Sequence, residues 1–169
     1  MTAVAHALPA PGEAVVELTI ARIEEAIGGS LRSPRGRVIL PFHLDDHATL
    51  HRMLNAMQPG SYVRPHRHRD PPKDEAAIVL RGAAACIIFD DEGRVRDSLR
   101  LAAQGHEFGV DIKAGVWHTF FALAPDTVLF EAKTGPYDAL TDKEFASWAP
   151  AEGSPEAQAY LAGWTEYFA

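Results

Sequence analysis

Between residues 61 and 134 the chain is cut into short β-rich runs, and this segmentation limits the possible folds more than any other feature. The runs span residues 61–65, 76–81, 83–89, 95–101, 106–112, 116–123 and 127–133. Turn-forming residues separate them: Arg81-Gly82, Asp90-Asp91-Glu92-Gly93, Gln104-Gly105, Ala114-Gly115 and Pro125-Asp126. Seven short strands at this spacing predict a sandwich or a small barrel. Several runs are apolar on both faces. In 116–123 one parity carries Val116, His118, Phe120 and Ala122, and the other carries Trp117, Thr119, Phe121 and Leu123. A strand of that kind must be covered twice, either by helices from the chain ends or by another subunit. A homodimer is expected on that ground.

Helical patterns flank the β-rich segment. Pro9, Pro11 and Gly12 mark residues 1–12 as a flexible lead-in. Residues 13–58 read as a helical and irregular extension. Val16, Ile20, Ile23 and Ile27 recur at helical spacing until Gly28-Gly29 stops them. A basic stretch with Arg32, Arg35 and Arg37 precedes an apolar run, 38–42, of strand character. Asp45 or Asp46 then offers an N-cap to a second helical pattern, Leu50, Met53, Leu54 and Met57, which Pro59-Gly60 ends. Residues 59–137 form the β core. Over 138–169, Thr141-Asp142-Lys143-Glu144 fits a capping box. Ser154-Pro155 opens a helix with Ala157, Tyr160, Leu161, Trp164 and Phe168 on one stripe. At 169 residues the whole chain fits one structural domain with its own core.

Composition narrows the class of function. Hydrophobic residues are 47% and charged residues 23%, as in an ordinary globular protein. Sixteen Lys and Arg against 23 Asp and Glu give a net charge of −7, which argues against a nucleic-acid binder that works by displacing counterions. Cys86 is the one cysteine and cannot form an internal disulfide. No apolar stretch approaches the length of a membrane span, and the first residues lack the basic start of a signal peptide. A cytoplasmic protein without membrane or nucleic-acid partners is the expectation. No G-x-S-x-G, Walker or Rossmann pattern is present.

The chemistry is concentrated in GSYVRPHRHRDPPKDEAAIVLRG, residues 60–82. His66 and His68 are two apart at a strand end, so their side chains leave one face with Cα atoms about 6.6 Å apart. That suits two imidazoles converging on one ion. Glu75 opens the next strand and can bring a carboxylate oxygen to the same point, and His118 can add a third nitrogen from a later strand. Three imidazoles and a carboxylate suit one divalent first-row ion per chain (Fe, Mn, Ni, Co or Zn), with positions left for water or substrate. An H-x-H pair alone says little in a chain with eight histidines; the downstream acid and the later histidine after a glycine turn make the pattern specific. The competing reading is a polar barrel lining that has lost its metal, and the presence of all four ligands argues against it.

Gly60, His66, His68, Glu75 and Gly82 together resemble the first cupin motif, and 113–118, KAGVWH, resembles the core of the second. The gap from His68 to Glu75 is longer than is common in cupins, and Lys113 stands where a proline is usual. The resemblance implies an all-β core, a single cupin β-barrel of jelly-roll type, with helical N- and C-terminal additions. LNAMQPGSYVRPHRH, Lys73-Asp74-Glu75, FEAKTGPY and DKEFASWAP are further similar to the WbuC-type cupin-fold metalloproteins, associated with bacterial surface-polysaccharide genes. The arginine-rich stretch upstream departs from that pattern.

Tyr62 and Arg64 share the parity of His66 and His68, so a regular strand turns all four inward. Arg64 then becomes an anion clamp and Tyr62 a proton donor, the two candidate catalytic residues. Pro65 can instead break the alternation and leave Arg64 at the rim or in an ion pair. Arg67 and Arg69 take the opposite parity and read as solvated or dimer-facing, and Lys73 reads as a loop cation. His43, His47 and His51 lack a nearby acid or cysteine at ligand spacing and read as surface histidines; His106 reads as structural. Cys86 reads as a buried, inert thiol and 90–93 as a hairpin turn. Glu131 and Tyr137 are either pocket groups or structural ones. The resulting expectation is a metal-dependent enzyme acting on a small anionic, sugar-derived substrate, by Lewis-acid isomerase or epimerase chemistry or as an oxygenase. The alternative is a metal-dependent sensor or binder of a small molecule.

Overall fold

The computed structural model describes residues 6–169. In chain order the elements are α1 (Ile20–Arg32), β1 (Arg37–Pro41), β2 (Leu50–Met57), β3 (His66–Arg67), β4 (Glu75–Arg81), β5 (Ala83–Phe89), β6 (Val95–Ala102), β7 (Gly109–Ile112), β8 (Trp117–Ala122), β9 (Thr127–Thr134), β10 (Glu144–Phe145) and α2 (Pro155–Thr165). The strands form two antiparallel five-stranded sheets, ordered β1-β2-β9-β4-β7 and β10-β3-β8-β5-β6. Among the described residues no strand pair joins the two sheets, so the core is an open sandwich and not the closed barrel expected from sequence. One reason lies at an edge of the second sheet, where β10 and β3 have only two residues each. Pro65, Pro71 and Pro72 flank β3 and supply no backbone donors to lengthen it.

Strand register decides which residues face inward. In the first sheet, His51 on β2, Lys133 on β9 and Glu75 on β4 lie on one rung; Met53, Glu131 and Ala77 form the next. The alternate residues Leu40, Leu54, Ala56 and Val128 pack outward with Ala26 and Ile27 of α1. On the outer face of the second sheet Ala85, Ile87, Phe89, Trp117 and Phe121 cluster with Ala157, Leu161 and Trp164 of α2. The chain's own helices therefore cover both outer faces, and the doubly apolar strands need no second subunit for that purpose. Ala77, Val79, Cys86, Leu101, Phe120 and Leu129 fill part of the space between the sheets. Burial also pushes up the pKa of the Cys86 thiol, in keeping with an inert side chain.

Two local expectations are corrected. Residues 50–57 form β2 and not a helix, in register with eight residues of β9 and flanked by β1. A strand buried on both faces loses its apolar–polar alternation, and here the apolar positions happened to mimic helical spacing. The sandwich thus includes residues 37–57. The capping-box sequence 141–144 starts no helix: Asp142 N–H donates to the Asp138 carbonyl in a turn, at 2.7 Å, and Glu144–Phe145 pair with β3. Of the lead-in 1–12, residues 1–5 lie outside the described residues, while Ala7 bridges to Ile39 of β1.

The β4–β5 turn requires a glycine. Gly82 has φ +74°, and a Cβ there would sit 2.6 Å from Thr127 Oγ1 and 3.0 Å from Thr127 Cα. Gly82→Ala is expected to cost more than about 1 kcal/mol, because strain in the folded state outweighs the entropic gain in the unfolded chain. Urea unfolding measures it.

Candidate metal centre

The two sheets meet at one end through four side chains. His66 on β3 is in register with His118 on β8, so both imidazoles leave the inner face of the second sheet. His68 follows β3, and Glu75 opens β4 in the opposite sheet. All four are buried, between 1% and 7% exposed. One ligand atom from each lies within 4.8 Å of the others. Glu75 Oε2 is 3.0 Å from His68 Nε2 and 3.7 Å from His118 Nε2.

Backbone carbonyls set the orientation of the three rings. His66 Nδ1 lies 3.0 Å from the Arg64 carbonyl and His118 Nδ1 lies 2.9 Å from that of Val116; His68 Nδ1 contacts the Asp142 carbonyl. A carbonyl can only accept, so each Nδ1 carries the proton and each Nε2 lone pair is free to ligate. His68 Nε2, His118 Nε2 and Glu75 Oε2 are buried with no hydrogen-bond partner among the described residues. Each unsatisfied group costs about 1–3 kcal/mol, and one cation relieves all of them together. Burial, followed by the charge of Lys143, drives the His66 pKa well below its ordinary value. Burial raises that of Glu75, but His118 and His68 outweigh it and the result lies well below the usual carboxylate value. Neutral imidazoles and an ionised carboxylate are the forms that bind metal. The four residues fit a divalent first-row ion.

Asp142, which the sequence reading passed over as part of a helix cap, supports this end of the sandwich. It is 2% exposed, and its carboxylate accepts from Lys73 Nζ and Lys133 Nζ, each at 2.7 Å. Lys73 therefore lies on the β3–β4 loop as expected, but buried and paired with Asp142. Arg67 is corrected as well: it donates twice to Glu144, both at 2.8 Å, and stacks 4.2 Å over the Trp117 ring. Arg69 is exposed beside Glu144.

Tyr62 is not part of the site. Its ring stacks on Trp164 and its hydroxyl donates to the Pro150 carbonyl at 2.9 Å, in the cluster under α2. Burial pushes its pKa up to about 12. The parity argument failed because residues 61–65 form no strand, and Val63 and Arg64 both line the cavity. Arg64 does reach the interior, with Nε and Nη2 donating to the Ala146 carbonyl at 3.1 and 2.6 Å.

The cavity beside the ligands has a volume of about 680 Å³, and its wall includes Asn55, Arg64, Glu131 and Lys143. His43 and His51, expected on the surface, are buried there with rings stacked at 4.0 Å. The β1–β2 ladder, extended by Phe42 N–H to the Arg52 carbonyl, brings them together. Burial and then His43 lower the His51 pKa. His47 and His106 are exposed.

Glu131 is 9% exposed and accepts from Asn55 Nδ2 at 2.8 Å. Burial, then the charge of Glu75, raises its pKa from 4.5 to about 7. A carboxyl that holds its proton more tightly when folded stabilises the fold below its unfolded pKa, and that stability is lost as pH rises through the folded value. Glu131→Gln is expected to flatten this decline between pH 4.5 and 7, as read from denaturant unfolding at several pH values.

Comparison with known proteins places these observations. Residues 18–101 match the model of a domain of unknown function, DUF6016, a span that includes His66, His68 and Glu75 but not His118. No curated protein sequence matches. Among solved structures, the capsular polysaccharide assembling protein CapF from Staphylococcus aureus superposes with a TM-score of 0.51 at 17% identity, over 64% of this chain and 31% of that one. CapF is a cupin-fold protein. The fold here is that of the cupins. Two further cupin-fold structures are similar at lower scores. Oxalate decarboxylase from Bacillus subtilis has a TM-score of 0.46 and 18% identity, over 57% of this chain and 24% of that one. KdgF from Halomonas sp. has 0.45 and 22%, over 62% and 81%. The chain spans about a quarter of the oxalate decarboxylase chain. No helix among its described residues is long and apolar enough to cross a membrane.

Proposed function

We infer that this cupin is a metal-dependent enzyme acting on a small anionic, sugar-derived substrate by Lewis-acid isomerase or epimerase-type chemistry. The observation that carries the reading is the set of orphaned ligand atoms, His68 Nε2, His118 Nε2 and Glu75 Oε2, gathered with His66 at the wall of a cavity of substrate size. His66, His68, Glu75 and His118 would hold a divalent ion, which would supply Lewis-acid chemistry toward substrate oxygens or a bound water. The chain's own residues prepare the site. Carbonyls of Arg64, Val116 and Asp142 fix the imidazole tautomers; Met53, Met57 and Phe120 form an apolar wall that limits water; Arg64 attracts an anion. The similarity to WbuC-type proteins supports a sugar-derived substrate and a place in surface-polysaccharide metabolism. A cytoplasmic location belongs to the same reading; a homodimer stays a proposal that the covered outer faces do not require.

Cobalt(II) titrated into metal-free protein is expected to saturate at one ion per chain and to give visible bands that change in Glu75→Gln. Featureless or superstoichiometric binding contradicts the site. Proton NMR of the loaded protein with uronic and aldonic acids then separates the two functional classes. Conversion of any of these acids supports the enzyme, whereas tight binding with unchanged release supports a sensor.

A further inference from the structure

The cavity wall contributed by the first sheet carries polar groups that the fold leaves unused. Asn55 on β2 donates its Nδ2–H to Glu131 on β9, and its Oδ1 is buried without a hydrogen-bond partner among the described residues. An unpaired buried amide oxygen is costly, and in a cavity it calls for a donor on a ligand. Glu131 adds a second acceptor. Lys143 lines the same cavity and makes no ion pair among the described residues, whereas Lys133 nearby is ion-paired with Asp142 at 2.7 Å. Arg64 Nη1 has no protein partner among the described residues, since only Nε and Nη2 are bound to Ala146.

Two kinds of complementarity are therefore required together. The acceptors need hydroxyl groups, and the cations need an anion. A neutral polyol leaves Lys143 unpaired, and an alkyl carboxylate leaves Asn55 Oδ1 unpaired. Both helices pack on the outer faces, so no helix N-terminus among the described residues supplies the backbone donors that favour phosphate. We propose that the cavity selects a hydroxylated monocarboxylate, with Asn55 and Glu131 reading its hydroxyls and Lys143, assisted by Arg64, holding its carboxylate. The inference rests on the metal-site reading above and adds the substrate class and the residues that specify it.

The test is calorimetric binding to the zinc-loaded full chain with four probes: gluconate, hexanoate, sorbitol and glycerol phosphate. Gluconate is expected to bind at least about tenfold more tightly than each of the others, because a site built to hydrogen-bond a hydroxyl strongly rejects analogues lacking it. Asn55→Leu and Glu131→Gln should each weaken gluconate about tenfold and leave hexanoate unchanged. Lys143→Met should reduce gluconate to the level of sorbitol. Zinc content and thermal unfolding of each variant show that fold and metal site persist. Hexanoate or glycerol phosphate binding as well as gluconate overturns the proposal, and so does a Lys143→Met variant that binds gluconate normally. Zinc-loaded wild type that ignores gluconate defeats this inference alone. Wild type that takes up no zinc defeats the metal-site reading and this inference with it.

Discussion

Replacing Asp142 with alanine will destabilise the protein by about 3–5 kcal/mol, the usual cost of leaving a buried charge without its partner. Asp142 and Lys73 are 2% and 3% exposed, and the Lys133 side chain is 11% exposed. Without the carboxylate, two ammonium groups lose the acceptor that offsets their desolvation, and like charges face each other close to the metal ligands. The turn that presents the Asp142 carbonyl to His68 loosens at the same time. The effect also has a pH signature. Burial raises the Asp142 pKa, but Lys133 and Lys73 outweigh burial and hold it below 3.8. Its stabilisation is complete above the unfolded value and disappears as pH falls through the lower folded one. Denaturant unfolding of wild type and Asp142→Ala from pH 7 down to pH 3 should show the difference narrowing in acid. A loss under about 1 kcal/mol at pH 7 contradicts this role.

Metal binding should produce a change of similar size. An ion that binds only the folded protein, present at a thousand times its dissociation constant, adds about 4 kcal/mol. For a chain of this length that corresponds to a rise in Tm of roughly 8–16 °C. The source is visible in the structure: orphaned Nε2 atoms and a carboxylate oxygen, buried together, acquire a common partner. Scanning calorimetry of metal-free protein with and without zinc measures the rise, and His118→Ala should abolish it. An unchanged Tm in wild type, or an equal rise in the variant, contradicts the site.

The ligand set was legible because its information is local. Two histidines on one strand face, an acid at the start of the next strand and a histidine after a glycine turn each follow from short spacing. The rest of the site depends on register between distant strands. Asn55 and Glu131 are 76 residues apart, and nothing near either one announces the other. His43 and His51 read as surface histidines, because the pattern over 50–57 suggested a helix; the β1–β2 ladder stacks them in the cavity instead. Tyr62 shows the reverse failure, since alternation around a proline was trusted where no strand exists. The terminal helices were anticipated, although α1 starts at Ile20 and runs through Gly28-Gly29 to Arg32 where the glycines were expected to stop it, and they settle how the doubly apolar strands are covered. The strand spacing allowed a sandwich or a barrel, and the choice between them was beyond sequence reasoning, because closure depends on edge pairing and not on the pattern within any strand.

The central claim is that His66, His68, Glu75 and His118 hold one divalent ion. Its most direct test is the metal content, by plasma mass spectrometry, of untagged protein purified without chelator, beside His66→Ala prepared in the same way. The account predicts about one first-row ion per chain in the wild type and a loss of most of it in the variant. Wild-type protein that stays empty after each of iron, manganese, nickel, cobalt and zinc has been offered would contradict it.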